Sequence, residues 1–360
     1  MEERHQWLNL LAVPGIGSLT IARWYQHGLM AEVFSQDPIT HKKLGLNQAQ
    51  HHALCHPDER LIHRIEHWCQ QSGGFYLHRQ HSDYPQLLNE ITDPPPILFG
   101  LGNVDCVEQP QLAIVGSRHA SPNGRGLAKR FAADVTACGY LVSSGLALGI
   151  DACAHEGALE RGTTLAVLGS GLGSIYPKRH QGLAQRIIDS GGLLLSEQPP
   201  WVKPQGFLFP RRNRILSGLA EGVLVVEASE RSGSLITARL AAEQGREVFA
   251  LPGAIGNPNS KGCHRLIKDG AVLVEEVADI FIVPSLKPGS APPNSSAEAQ
   301  QQTLPKSVLL DNVRDSATSV DELVQQTGLA VDVVLSELLT LELQGYVAAV
   351  PGGFIRLRGS

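Results

Sequence analysis

The chain has 360 residues, 42% of them apolar and 5% aromatic, which is enough for two or three packed domains but leaves few aromatic platforms. No run of 18 apolar residues occurs, so no membrane-spanning helix is expected, and the acidic, polar start at Met1 does not read as a secretory signal. The net charge of −5 excludes a uniformly basic nucleic-acid coat, yet residues 201–270 hold ten Lys/Arg against six Asp/Glu, a local excess of +4 that suits a directed anion site.

Residues 1–72 predict a helical domain. Leu8, Leu10 and Leu11 precede the turn Val13-Pro14-Gly15-Ile16-Gly17, and Ile21, Ala22, Trp24 and Tyr25 follow at helical spacing. His51 and His52 fall in this part and read as a solvated helix face rather than a metal site. The six cysteines, Cys55, Cys69, Cys106, Cys138, Cys153 and Cys263, contain no C-x-x-C pair. Their scatter suits a reducing, cytoplasmic setting and argues against a disulfide framework and a zinc site.

Residues 73–283 predict the core. Apolar runs at 112–115, 140–143, 165–168, 193–195, 223–226, 248–251 and 272–274 alternate with amphipathic segments such as 125–138, 236–244 and 264–268. Near-continuous apolar strands separated by helices specify a parallel sheet covered on both faces, here an extended Rossmann-like, doubly wound α/β fold. Residues 284–305, rich in Pro, Ser, Ala and Gln, read as a flexible linker. Residues 306–360 follow the order helix, helix, helix, hairpin, which is the pattern of a winged helix. Its third helix, expected at about 331–343, carries Asp332, Glu337 and Glu342 and no Lys or Arg. That helix would be repelled by phosphates, so a protein contact is expected of this domain rather than duplex DNA, with Arg356 and Arg358 as its nearby cations.

In an open parallel sheet, ligands bind beyond the carboxyl ends of the strands. Here the runs end in Gly116-Ser117-Arg118, in Ser144-Gly145, in Gly169-Ser170-Gly171, in Glu227-Ala228-Ser229 with Ser232-Gly233-Ser234 opening the next helix, and in Pro252-Gly253. Glycine lets backbone N–H groups approach an anion, and a following helix N-terminus adds partial positive charge. Arg118, at a strand end, is suited to fork onto a phosphate. In Phe209-Pro210-Arg211-Arg212-Asn213-Arg214, three cations at a helix start oppose the macrodipole, which an anion at that place would offset. Phe207 and Phe209, on one side of an extended segment, can stack bases; basic and aromatic side chains so interleaved are the ingredients of a sequence-tolerant single-strand groove. Asp151 and His155 lie at i and i+4 and permit a catalytic pair, but no nucleophile and no carboxylate pair accompanies them; a capping role for Asp151 is the simpler reading.

These runs resemble the DNA processing protein A (DprA/Smf) family. The resemblance rests on residues 113–118, 144–155, 209–215, 225–228, 232–239 and 251–253, in order, and covers about 80–280 strongly; the helix-hairpin-helix-like turn at 13–17 and the winged-helix tail are looser matches. It implies a non-enzymatic protein without cofactor or metal, a homodimer that binds single-stranded DNA and helps place the RecA recombinase on incoming DNA during natural transformation. It carries over Gly116, Ser117 and Arg118 as a phosphate loop and Phe209, Arg212 and Asn213 as a DNA-contacting stretch. The wider set of DNA contacts then comprises Lys203, Arg211, Ser232, Gly233 and Ser234 as well. Some members have a lysine where this chain has Gly206, with Lys203 as a substitute, and Gly262-Cys263-His264 stands where many have Gly-x-Asn. The rival reading is a nucleotide phosphoribohydrolase of the lysine-decarboxylase-like type; its P-G-G-x-G-T-x-x-E motif is absent here.

Overall fold

The computed structural model describes residues 2–287, 308–314 and 316–357. Nine strands form one sheet: β1 (Phe75–His78), β2 (Ile97–Gly102), β3 (Gln111–Val115), β4 (Leu141–Ser144), β5 (Thr164–Leu168), β6 (Leu193–Ser196), β7 (Gly222–Val225), β8 (Glu247–Ala250) and β9 (Val272–Leu273). The order is β1-β2-β6-β5-β4-β3-β7-β8-β9, parallel from β6 to β9 and antiparallel where β2 joins β1 and β6. Every residue of β3 to β7 is buried, as expected of strands with helices on both faces.

The chain winds outward from β3 through β4, β5 and β6, then crosses back along the helix Leu208–Leu219 to place β7 on the other side of β3. That reversal makes the β3/β7 boundary the topological switch point, where a crevice opens beyond the strand ends. One face of the sheet packs Ile215, Leu216, Leu219, Ala238 and Ala241; the other packs Phe131, Val135, Ala154 and Ile280.

The antiparallel edge formed by β1 and β2 had no counterpart in the apolar runs. Glycines interrupt β2, and each has a reason. A Cβ at Gly100 would fall 2.2 Å from the Phe75 ring, and one at Gly102, at φ +118°, would fall 2.2 Å from the Gly192 carbonyl oxygen. Glycine inside a strand marks such close approach.

The N-terminal region is helical as expected, with helices that include Glu3–Asn9, Ser18–Gln26, Pro38–Lys43, Gln48–Cys55 and Glu59–Ser72. The last ends on Gly73 at φ +68°, a left-handed cap that glycine adopts without Cβ strain. This region shares a continuous apolar cluster with the sheet, Trp7, Leu8, Ile62 and Ile65 meeting Ile97, Phe99, Leu168 and Leu194. Trp7 stacks on His78 at 5.5 Å, and Arg64 lies 3.8 Å over the Trp201 ring. His51 and His52 do not share a solvated face. His52 is exposed, while His51 is half-buried and turned edge-on to the buried His41 at 4.9 Å, because the helix Gln48–Cys55 lays that face on the preceding helix.

Of the expected linker 284–305, residues 288–305 lie outside the described residues, and Leu286 is buried with Phe281 and Val283 against the core. The C-terminal part has helices Val308–Asn312, Val320–Thr327 and Val331–Leu343, then a hairpin of β10 (Val347–Val350) and β11 (Gly353–Arg356). Val334, Leu338 and Leu341 form the inner face of the third helix; Val331, Val333, Leu335, Leu339 and Leu343 point outward, each between 45% and 83% exposed. Arg356 lies 3.9 Å from Asp311, its backbone N–H donates to the Arg314 carbonyl, and Arg358 lies outside the described residues. Arg314 is exposed and therefore adds a cation beside the wing that the sequence reading omitted.

Candidate nucleic-acid interface

Beyond the ends of β3 and β7 lies a cavity of about 370 Å³. Nine of the eleven sequence-selected residues line it: Gly116, Ser117, Arg118, Phe209, Arg212, Asn213, Ser232, Gly233 and Ser234. They come from three segments, at 116–118, 209–213 and 232–234, brought together by the fold. Lys203 and Arg211 are exposed but line no part of it. A larger cavity of about 740 Å³ sits between helices Ser234–Glu243 and Lys261–Lys268. Its floor is apolar, and three of its four cations, Arg239, Arg246 and Arg265, are paired with Glu243, Glu90 and Asp269, which leaves exposed Arg231, so it offers less to an anion despite its size. The ten cations of residues 201–270 therefore do not form one basic face.

Several glycines of the strand-end loops are explained by packing. A Cβ at Gly116 would meet Ile150 at 2.5 Å, one at Gly169 would meet the Phe209 ring at 2.9 Å, and one at Gly253 would meet Ser260 Oγ at 2.1 Å. Gly149 is at φ +78° with its would-be Cβ 2.2 Å from the Ser117 carbonyl oxygen. The Ser117 N–H donates to the Glu227 carbonyl at 2.7 Å, and the Ser117 carbonyl accepts from Ile150 N at 3.2 Å. Glu227, which follows β7, accepts from Ser121 N and Ser121 Oγ and so pins the start of the helix Pro122–Ala137. These contacts hold the β3 loop rigid. Gly233 differs: its φ is −63°, and a Cβ there would meet nothing within 4 Å. Nothing in the fold requires glycine at that point of the cavity wall. Beside it the Ser232 and Ser234 hydroxyls bond each other at 2.6 Å.

The arginines divide into different roles. Arg118 is exposed and forms no ion pair among the described residues; its guanidinium carbon lies 5.8 Å over the Phe209 ring. Arg212 is buried. Its Nη1 donates to the Gly145 carbonyl at 2.8 Å and to the Val167 carbonyl, and its Nε donates to Asn213 Oδ1 at 3.2 Å. Burial pulls the Arg212 guanidinium down to about 10, a shift that neighbouring Asp151 opposes. Arg214 is bonded to Asp93 at 3.0 Å and to Glu197, an ion-paired bracket inside the protein. The helix begins at Leu208, not at Arg211, so Phe207 and Phe209 do not share the side of an extended segment. Two of the three cations near its start are consumed by internal acceptors, and an external anion is needed to explain neither.

Asp151 is buried on the cavity floor, where desolvation pushes its carboxyl up from the ordinary value while Arg212 and the Ala147 and Gly145 N–H groups pull it down. It sits inside the helix Ile150–Ala158 rather than at its cap, which is Gly149. His155 turns away to Thr164 Oγ1 at 2.9 Å, and burial drives its pKa down to about 3. The Asp151–His155 pair is thus not assembled, and His155 stays neutral at physiological pH. Tyr176 was missed by the sequence reading. It is 48% exposed and stands 5.6 Å from Phe209, so that two rings and the Arg118 guanidinium flank one another at the cavity edge. Its signal was position alone: an aromatic followed by proline in the loop after β5.

A doubly wound sheet with a cationic, aromatic-edged crevice at its switch point defines a Rossmann-type α/β protein, here with a helical region before it and a winged helix after it. The family model for DNA recombination-mediator protein A matches residues 75–283, that for the SMF/DprA SAM domain matches 1–67, and that for the DprA winged helix domain matches 290–353. The Smf protein of Escherichia coli strain K12 is 42% identical over 369 residues, covering 99% of this chain and 97% of its own. The DNA processing protein DprA of Streptococcus pneumoniae is 46% identical over 199 residues, 55% of this chain and 70% of its own. The solved Streptococcus pneumoniae structure superposes with a TM-score of 0.67 at 35% identity, over 78% of this chain and 98% of that one. DNA processing protein A from Helicobacter pylori, whose structure describes a single-stranded-DNA binding mode, superposes at a TM-score of 0.53 and 28% identity, over 58% of this chain and 94% of that one. The chain belongs to the DNA recombination-mediator protein A (DprA/Smf) family. That membership sets it among recombination mediators and not among enzymes.

Proposed function

We propose that this chain binds single-stranded DNA without sequence preference at the switch-point cavity, and that it does so in the cytoplasm to process DNA taken up in transformation. The observation that carries the reading is the convergence of Arg118, Phe209, Arg212 and the Ser232–Gly233–Ser234 turn on one crevice. Arg118, exposed and without an ion pair among the described residues, supplies a cation for a phosphate, and Phe209 with Tyr176 supplies ring faces for bases. The open wall at Gly233 allows a backbone phosphate to come close. The relative from Helicobacter pylori, described for its single-stranded-DNA binding mode, supports the same ligand for this chain.

In this reading Arg212 and Asn213 position the floor, while Lys203 and Arg211 lie outside the cavity and meet the strand only as it leaves. The protein acts as a homodimer that hands its strand to the RecA recombinase. Its division into a helical domain (1–72), a DNA-binding core (73–283), a linker (284–305) and a winged helix (306–360) assigns the ligand to the core. The test is a titration with single-stranded oligonucleotides, duplexes and mononucleotides at several salt concentrations. Preference for single strands with strong salt dependence is expected. Tight mononucleotide binding with indifference to oligonucleotides would favour nucleotide processing instead.

A further inference from the structure

The helical region holds a side-chain cluster that the DNA site does not use. His41, His51 and Cys55 place one ring nitrogen each and one sulfur within 4.8 Å of one another. His51 and Cys55 are i and i+4 on the helix Gln48–Cys55, and His41 comes from the helix Pro38–Lys43, so the fold brings two helices to one point. His41 is 1% exposed, and its Nε2 lies 3.1 Å from the Val33 carbonyl oxygen. A carbonyl can only accept, so Nε2 carries the proton and Nδ1 keeps its lone pair. That is the arrangement by which a backbone acceptor orients a metal-ligating histidine. The lone pair points at His51 Nδ1, 2.7 Å away, and Cys55 Sγ is 3.7 Å from the same nitrogen.

We propose that His41 Nδ1, His51 Nδ1 and Cys55 Sγ bind a zinc(II) ion. One thiolate with two imidazoles suits a borderline-soft divalent cation and leaves a fourth, solvent-facing position on the half-exposed side of His51 and Cys55. With ordinary zinc bond lengths, a tetrahedral centre needs nitrogen–nitrogen and nitrogen–sulfur separations of about 3.3 and 3.6 Å. The His51–Cys55 spacing already matches; the two rings must part by about half an ångström. On loading, the Cys55 thiol proton goes to solvent and the His51 proton moves to Nε2, so the site binds as one thiolate and two neutral imidazoles. The helices so joined have six and eight residues, too short to persist without tertiary support, and the ion clips them together. The sequence alone argued against zinc because it holds no C-x-x-C pair; the H-x-x-x-C spacing at 51–55 went unremarked, and its partner ten residues upstream meets it only in the fold.

The test uses the full chain stripped of metal and titrated with cobalt(II) as a spectroscopic probe. One equivalent is expected to produce visible bands of tetrahedral intensity with a near-ultraviolet thiolate charge-transfer band, both displaced by one equivalent of zinc. Cys55→Ser should abolish the charge-transfer band with unchanged circular dichroism, and His51→Gln should weaken binding at least tenfold. Independently of any variant, zinc should protect Cys55 alone, among the six cysteines, from alkylation, as read by peptide mapping. Cobalt bands that survive in Cys55→Ser, or alkylation of Cys55 at the same rate with and without zinc, would overturn the site and leave the His41–His51 contact as a plain hydrogen bond.

Discussion

Arg212 offers the sharpest separation between holding the site and touching the ligand. Replacing it with Met removes a buried guanidinium that serves two carbonyls, those of Gly145 and Val167, and that faces buried Asp151. Each orphaned acceptor costs about 1–3 kcal/mol, and removing one partner from a buried charge pair costs about 3–5 kcal/mol. These contributions overlap, so a loss of about 3–5 kcal/mol in urea unfolding is expected for Arg212→Met. The pH dependence follows from Asp151. Burial raises its folded-state pKa above the unfolded value of about 3.8, so folded Asp151 holds a proton in a pH range where unfolded Asp151 has lost it. Its contribution is therefore present below that range and is lost as pH rises through the raised value. Without Arg212 the shift grows, and the deficit of Arg212→Met against the parent should shrink as pH falls from 7 toward 4. Adding Asp151→Asn to Arg212→Met should recover part of the loss at pH 7. An Arg212→Met variant within 1 kcal/mol of the parent, or a deficit that widens on acidification, would refute this account of the cavity floor.

The remaining predictions concern the ligand and the C-terminal region. Phe209→Ala and Tyr176→Ala should each cost about 1–3 kcal/mol of single-strand affinity with an unchanged salt slope in fluorescence titrations, since stacking is lost but no phosphate contact is. Gly233→Ala should leave the urea midpoint unchanged or slightly higher, because its φ is ordinary and its surroundings open, yet it should weaken DNA binding by calorimetry; equal affinity would mean that no phosphate approaches there. Residues 300–360 expressed alone should bind duplex DNA no tighter than micromolar at low salt in a mobility-shift assay, because Asp332, Glu337 and Glu342 line the third helix and Arg356 sits beside Asp311. A chain ending at Val283 should keep most of its single-strand affinity.

The parallel sheet was legible because buried strands are long apolar runs, and β3 to β9 fall within a residue or two of the expected positions. The site was legible because strand-end loops gather at one edge whatever the details of the helices between them. What escaped depended on contacts distant in the chain. β1 is only four residues, and β2 is broken by Gly100 and Gly102, which admit the Phe75 ring and the Gly192 carbonyl. Arg211, Arg212 and Arg214 look alike in sequence, and only the fold supplies Gly145 and Val167 to one and Asp93 and Glu197 to another, while the side chain of Arg211 is exposed and forms no ion pair among the described residues. Tyr176 had only its position before a proline to mark it, because its neighbour Phe209 is 33 positions away. The glycine-rich loops were over-read for the same reason: Gly116, Gly149, Gly169 and Gly253 answer to neighbouring atoms, and only Gly233 is left for a ligand.

The central claim is that Arg118, exposed and without an ion pair at the mouth of the cavity, neutralises a phosphate of a single strand. The most direct measurement is the slope of log affinity against log salt for a single-stranded oligonucleotide, compared between the parent chain and Arg118→Ala. The account predicts weaker binding, a slope shallower by about 0.7, and an unfolding midpoint that does not move. A variant that binds as tightly as the parent, with the same slope, would contradict it.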